Sequence, residues 1–289
     1  MQNFAKRVLD YEYTMELSAQ LCRLGAEKRI IGHSVEGREI PVLRLGQGRC
    51  NILYLCSTHA TETIAGAVLL RFAYDLLTAQ EICAMDCSHA LYKTRLHILP
   101  LLNPDGAEIA LGRINEAARA RMVFFNDNSE DFTHWQANAR GVDLNHNFDA
   151  AFDQGKAMER ELGIYGPSPT RYGGKTPFSE PETQALRRYI LAENIDRLYA
   201  FHTQGEEIYY DGPDALGLAR ILAKSCGYAV SKPEGIASCR GAKDWFCAAF
   251  NRPGFTVEMG KGQNPLPIGD AASIYRTCQE MLMFTTIIS

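Results

Sequence analysis

Short apolar runs that end in an ionisable or amide side chain recur along this chain, and they constrain its fold more than any other feature. NILYLCS (51–57), LHILPLL (96–102), RLYAFH (197–202) and GFTVEM (254–259) are each too short for a helix and nearly continuous in apolar residues. That is the pattern of strands buried on both faces of a sheet. Helical periodicity takes over between them, most clearly in THATETIAGAVLLRFAYDLL, which follows the first run directly. Strands alternating with helices predict an α/β sheet covered on both faces. In such sheets ligands bind in the crevice beyond the carboxyl ends of the strands. His59 and Glu62, Asn103 and Asp105, His202, and Glu258 all follow or end such runs. The pattern therefore predicts an active site as well as a fold.

The remaining elements are read in the same way. Residues 4–24 are amphipathic and read as an opening helix. IGHSVEGREIPVLRLG reads as two strands around a Glu-Gly turn. Asn103-Pro104-Asp105-Gly106 is a turn signal. In FSEPETQALRRYILAE, Ser179 with Glu182 three residues later predicts a capping box, with Pro181 tolerated in the first turn. No repeat, low-complexity tract or linker interrupts the 289 residues, so one domain spanning 1–289 is expected.

Composition narrows the partners. A net charge of -4 and the lack of any Lys/Arg run give no reason to expect nucleic acid or a membrane surface. Charges break the first residues every few positions, so no signal-peptide core is read there, and no segment is apolar for long enough to span a bilayer. The nine cysteines are odd in number and scattered, which is expected of reduced thiols in a cytoplasmic protein. Cys83, Cys87 and His89 lack the second pair that a structural zinc site needs.

His59 and Glu62 are three apart, a spacing that puts both on one face of a helical first turn. A histidine and a carboxylate so placed suit two corners of a zinc site, although His-x-x-Glu is frequent by chance and HExxH is absent. His202 is the natural third ligand, the bland reading being a satisfied histidine at a strand end. Glu258 has two readings as well: a strand-end carboxylate in water or paired with Lys261, or a general base beside a metal-activated water.

HATE, LLNPDG, RGVDLNHNF, FSEPET, FHTQG and FTVEMG, in that order, resemble the zinc carboxypeptidases of the funnelin type over nearly the whole chain. The resemblance implies a mixed, mostly parallel, eight-stranded twisted sheet with helices on both faces. It implies one zinc ion per chain held by His59, Glu62 and His202, and amide hydrolysis in which Glu258 takes a proton from water and returns it to the leaving amine.

The chain also departs from the family pattern. Members usually grip the C-terminal carboxylate of a peptide with the Asn-Arg of NRNF, whereas Asn145 is followed here by His146. Arginine is always charged and forms two parallel hydrogen bonds with a carboxylate; a histidine makes one contact and is often neutral. The arginine that polarises the scissile carbonyl is replaced by Gln136, with Arg140 close in sequence as a substitute. The family's mobile tyrosine falls at Ile236. Lys243, with Arg240 nearby, falls at the base of the specificity pocket, where it would favour an extra carboxylate or else simply point to water.

DLNHNFDA and FHTQGEEIYY are most similar to the γ-D-glutamyl-diaminopimelate peptidases and murein peptide amidases. That similarity implies cell-wall peptide substrates. The rival readings are a broad-specificity carboxypeptidase with Arg140 or Arg171 as clamp, an N-acyl amino acid deacylase, and a catalytically silent peptide-binding module on the same fold.

Overall fold

The computed structural model describes Phe4, residues 7–232, Gly235 and residues 239–288. Ile236 lies outside the described residues. Eight strands form one mixed sheet: β1 (Glu27–His33), β2 (Glu39–Leu45), β3 (Cys50–Cys56), β6 (Thr94–Leu99), β7 (Arg197–Thr203), β8 (Gly205–Asp211), β9 (Ala229–Ser231) and β10 (Gly254–Lys261). A small hairpin, β4 (Glu81–Ile82) with β5 (Met85–Asp86), stands apart from it. The strand order is β1-β2-β6-β3-β7-β10-β8-β9. Parallel pairs join β6, β3, β7 and β10, and also β8 with β9, while β1 and β2 add an antiparallel edge and β8 runs antiparallel to β10. The four apolar runs of the sequence are thus the four central strands.

Alternation along these strands divides the core in two, as a side-chain period of two requires. Ile52, Tyr54, Cys56, Tyr199 and Phe201 face one layer, packed with Phe72 of α2 (Thr63–Thr78), α8 (Ala215–Cys226) and α10 (Ala271–Ile287). Leu53, Leu55, Leu198 and Ala200 face the other, against Leu186 and Ile190 of α7 (Pro181–Glu193) and Trp245 and Phe246 of α9 (Ala242–Phe250). At roughly 1.5–3 kcal/mol for each large side chain fully buried, these layers hold the central strand ends in place. A smaller cluster of Ala60, Ile109, Met122, Phe132, Trp135, Ala137 and Ala139 packs beneath the loops at that end.

Three local expectations are corrected. The opening helix, α1, runs only over Tyr11–Arg23, because the Asp10 side chain accepts from the Tyr13 N–H and caps it there. Asn103-Pro104-Asp105-Gly106 opens helix α4 (Pro104–Ala110) instead of a free turn: the Asn103 side chain accepts from the Gly106 N–H at 3.0 Å. A Cβ at Gly106 would lie 2.3 Å from the Ala137 carbonyl oxygen, so only glycine allows this helix start to pack so closely. The capping box of α7 does not form. Helix α7 begins at Pro181 behind Glu180, Ser179 bonds Asn147 and Glu180, and Glu182 accepts from the Val35 N–H. Both polar groups are claimed by distant parts of the chain.

Candidate active site

His59, Glu62 and His202 come together at the carboxyl ends of β3 and β7, their ligand atoms all within 4.8 Å of one another. His59 and Glu62 occupy the turn before α2, Glu62 being the residue that precedes its first turn. This corrects the expectation that both sit within the helix. A buried carboxylate at that position is favoured by the positive end of the helix dipole. The Nδ1 atoms of His59 and His202 lie 3.2 and 2.8 Å from the two Glu62 carboxylate oxygens. Burial raises the pKa of Glu62, but the two histidines outweigh it and hold the group well below its ordinary range. Two imidazoles converging on a charged, buried carboxylate match the His₂Glu donor set of catalytic zinc sites.

Glu258 lies beside them because β10 pairs with β7 in a register that sets Glu258 against His202. It is half-buried, and burial, opposed by His202, pushes its pKa up to about 7. Lys261, its suggested partner, is exposed, and no ion pair joins the two among the described residues. Gly205 makes room for the base, since a Cβ there would meet the Glu258 Cβ at 2.6 Å.

These groups open into a cleft of about 120 Å³ lined by His59, Asn145, His146, His202, Tyr209, Gly241, Lys243, Asp244, Thr256 and Glu258. Asn145 accepts from the Ala242 N–H and so ties the cleft wall to α9. His146 is 7% exposed, and its Nδ1 has no hydrogen-bond partner among the described residues. Burial, opposed by Asp143, lowers its pKa to about 4, so at pH 7 it is a neutral imidazole.

The other expected residues lie elsewhere. Arg140 is about half exposed and faces Glu180 at 3.6 Å; it does not line the cleft. Gln136 accepts from the Thr170 hydroxyl at 2.6 Å and does not line it either. Arg240 is fully buried behind the wall, ion-paired with Glu159 and stacked over Phe152. Lys243 does line the cleft, but it is 4% exposed, which excludes a lysine pointing to water. Its ammonium contacts both Asp211 and Asp244, so the basic wall expected from sequence is offset by two carboxylates.

Two contributors escaped the sequence reading. Asp143 is buried, with Oδ1 3.3 Å from His59 Nε2 and Oδ2 accepting from the Arg171 N–H, so its charge sits directly against the imidazole. Its only sequence signal was membership of RGVDLNHNF. Asn264 donates to Glu62 Oε1 at 3.0 Å from the loop after β10, where no periodicity marks it.

The zinc carboxypeptidase family model matches residues 11–284. The chain belongs to this family. It is 34% identical over 257 residues to the γ-D-glutamyl-L-diamino acid endopeptidase 1 of Lysinibacillus sphaericus, which covers 85% of the chain and 63% of that protein. Identity to the uncharacterized protein YqgT of Bacillus subtilis (strain 168) is 32% over 273 residues, covering 88% of the chain and 70% of the relative. The chain therefore spans under two thirds of the first relative's length. Among solved structures, bovine thrombin-activatable fibrinolysis inhibitor superposes with a TM-score of 0.77 at 18% identity, covering 98% of each chain. The murein-tripeptide amidase MpaA of Escherichia coli O157 gives 0.59 at 22% identity, over 91% of this chain and 94% of its own. At such identities the likeness is one of fold, and it includes the eight-stranded mixed sheet of this zinc-peptidase family.

Proposed function

We propose that residues 1–289 form one catalytic domain, a zinc-dependent peptidase that hydrolyses the γ-D-glutamyl-diaminopimelate bond of cell-wall peptides. His59, Glu62 and His202 would hold the ion, with the Asp143 carboxylate against the ring of His59. Bound zinc supplies a Lewis acid that polarises the scissile carbonyl and brings the pKa of water to about 7. Glu258 would take a proton from the attacking water and return it to the leaving amine, a shuttle suited to a carboxyl that burial pushes up to about 7. With Arg140 and Gln136 outside the cleft, carbonyl polarisation falls to the metal.

The observation that carries the substrate class is Lys243 wedged between Asp211 and Asp244 at the cleft wall. One ammonium against two carboxylates leaves a net negative site with a cation inside it. A side chain bearing only a carboxylate is disfavoured there. An amino-acid head group offers its ammonium to the aspartates and its carboxylate to Lys243, and the distal end of diaminopimelate is such a group. The L. sphaericus relative carries a diamino acid in its name, in agreement with this reading. Cys22, Cys50, Cys56, Cys83, Cys87, Cys226, Cys247 and Cys278 stand outside any disulfide, which supports a cytoplasmic location and hence a role on imported or recycled wall peptides; antibody detection in the cell-wall fraction alone would reject it. No helix of the described residues is long and apolar enough to cross a membrane.

The test is turnover of L-Ala-γ-D-Glu-diaminopimelate against its lysine analogue and a hippuryl-type substrate, with zinc content measured in parallel. The diaminopimelate peptide is expected to lead in kcat/KM by tenfold or more, and Glu258→Gln to abolish turnover while zinc remains bound. Hydrolysis of the hippuryl substrate alone rejects the cell-wall reading, and zinc binding without turnover of any peptide favours a silent binding module. Retained turnover in Glu258→Gln removes the base.

A further inference from the structure

Asn264 touches every segment that carries a proposed metal ligand. Its Nδ2 donates to Glu62 Oε1 at 3.0 Å, across 202 residues of sequence. Its Oδ1 accepts from the hydroxyl of Thr203, the neighbour of His202, at 2.6 Å. Its backbone N–H donates to Gln204 Oε1 at 2.8 Å, and the Gln204 N–H in turn donates to the Met259 carbonyl, next to Glu258. Asn264, Thr203 and Glu62 are all buried, so the two bonds of the Asn264 side chain are shielded from bulk water.

We propose that Asn264 is a positioning residue that fixes the Glu62 carboxylate for the metal, a proposal that rests on reading His59, Glu62 and His202 as the metal site. The direction of the amide decides the argument. The Glu62 carboxylate can only accept, so the amide turns its N–H toward it, and the Thr203 hydroxyl, donating to the opposite Oδ1, holds the amide there. The amide nitrogen, its lone pair delocalised into the carbonyl, has nothing to offer a cation, and the amide oxygen is turned to Thr203, so Asn264 is not itself a ligand. Both imidazoles use on Glu62 the same Nδ1 atoms that would turn to an ion. The Asn264 bond needs no such exchange and persists whether the site is empty or filled. It therefore holds the carboxylate in a fixed orientation without the metal, and the ion meets a preorganised ligand. A hydrogen bond from a neutral donor also leaves the net negative charge of the site intact, whereas a lysine or arginine in that place would offset the charge that attracts the ion.

Zinc affinity, measured by competition with a chromogenic chelator, tests this in the wild type, Asn264→Ala and Thr203→Val, with melting of each zinc-free protein alongside. Loss of such an outer partner costs roughly 10–100-fold in metal affinity. Asn264→Ala is expected to weaken zinc binding to that extent, and Thr203→Val several-fold, because the amide remains but loses its orientation. The cobalt-substituted Asn264→Ala protein is expected to show a shifted ligand-field absorption. An affinity within threefold of wild type and an unchanged cobalt spectrum, in an Asn264→Ala protein that merely melts lower, overturn the proposal. If that variant does not fold, unchanged affinity in Thr203→Val overturns it instead. Failure of the wild type to bind zinc refutes the metal-site reading, an outcome distinct from either.

Discussion

Replacing His146 with arginine should convert the cleft into one that demands a free carboxylate on its substrate. His146 lines the cleft as a neutral imidazole, and the one other basic side chain lining it, apart from the histidines, is Lys243, already shared by two aspartates. The described wall therefore presents no uncommitted cation to the α-carboxylate of the residue beyond the scissile bond. In the wild type, amidating that carboxylate should change kcat/KM by no more than about threefold. An arginine at 146 would add a charge-assisted contact of about 1.5–3 kcal/mol, or roughly 10–150-fold in discrimination at 1.36 kcal/mol per decade. Part of this is lost to Asp143, whose Oδ2 already lies 3.8 Å from His146 Nε2 and would compete for the guanidinium. The larger side chain also strains a buried site by about 1–3 kcal/mol. That strain lowers kcat/KM for both substrates and cancels in their ratio. The assay is thus the ratio of kcat/KM for L-Ala-γ-D-Glu-diaminopimelate to its α-amide, measured in each protein, with a tenfold or greater rise expected in His146→Arg. A wild-type ratio already above about thirty would mean that another cation grips the carboxylate, and an unchanged ratio in the variant would remove His146 from the recognition site.

Further outcomes follow from the packing around the site and in the sheet. Gly205→Ala places a methyl 2.6 Å from the Glu258 Cβ, and an ångström-scale shift of the base costs on the order of 100-fold, so kcat should fall at least tenfold with little change in KM. Unchanged kcat would show that the base tolerates displacement. Buried His97, bonded to the Tyr189 hydroxyl, has its pKa lowered to about 3 by burial and by Arg44, Arg95 and Arg29. The unfolded chain takes up that proton near pH 6.5 and the folded one does not, so His97 contributes stability above pH 6.5 that is lost as pH falls toward 3. By pH 5 the loss is about 2 kcal/mol, 1.5 pH units at 1.36 kcal/mol each. Urea unfolding at pH 7.5 and pH 5 should show that drop in the wild type and not in His97→Gln; equal drops in both would assign the acid sensitivity to other groups.

The four central strands were legible in the sequence because a strand buried on both faces must be apolar at almost every position, and that demand is local. The separated residues His59, Glu62 and His202, proposed as metal ligands, were legible in part, through the rule that strand ends face a crevice and through the ordered motifs. Their convergence depended on something no local pattern encodes, the register that sets Cys56 at the end of β3 beside Phe201 of β7, just as the β7–β10 register sets Glu258 against His202. Local signals failed where distant groups outbid them. Ser179 and Glu182 had the spacing of a capping box, yet Asn147 and the Val35 N–H took their hydrogen bonds.

Recognition was the least legible part, since the charge a substrate meets is a sum over residues far apart in sequence. Lys243 read as a basic wall until Asp211, 32 residues earlier, was found against its ammonium. Arg240 read as part of a basic pocket and Arg140 as a candidate clamp, but one is buried with Glu159 and the other faces Glu180 outside the cleft. The sequence by itself determined which strands are buried, which side chains stand at their ends, and that His146 replaces a fixed charge. Only the tertiary structure decided which of the charged side chains remain free to meet a substrate, because each is neutralised or exposed by partners that the fold alone brings near.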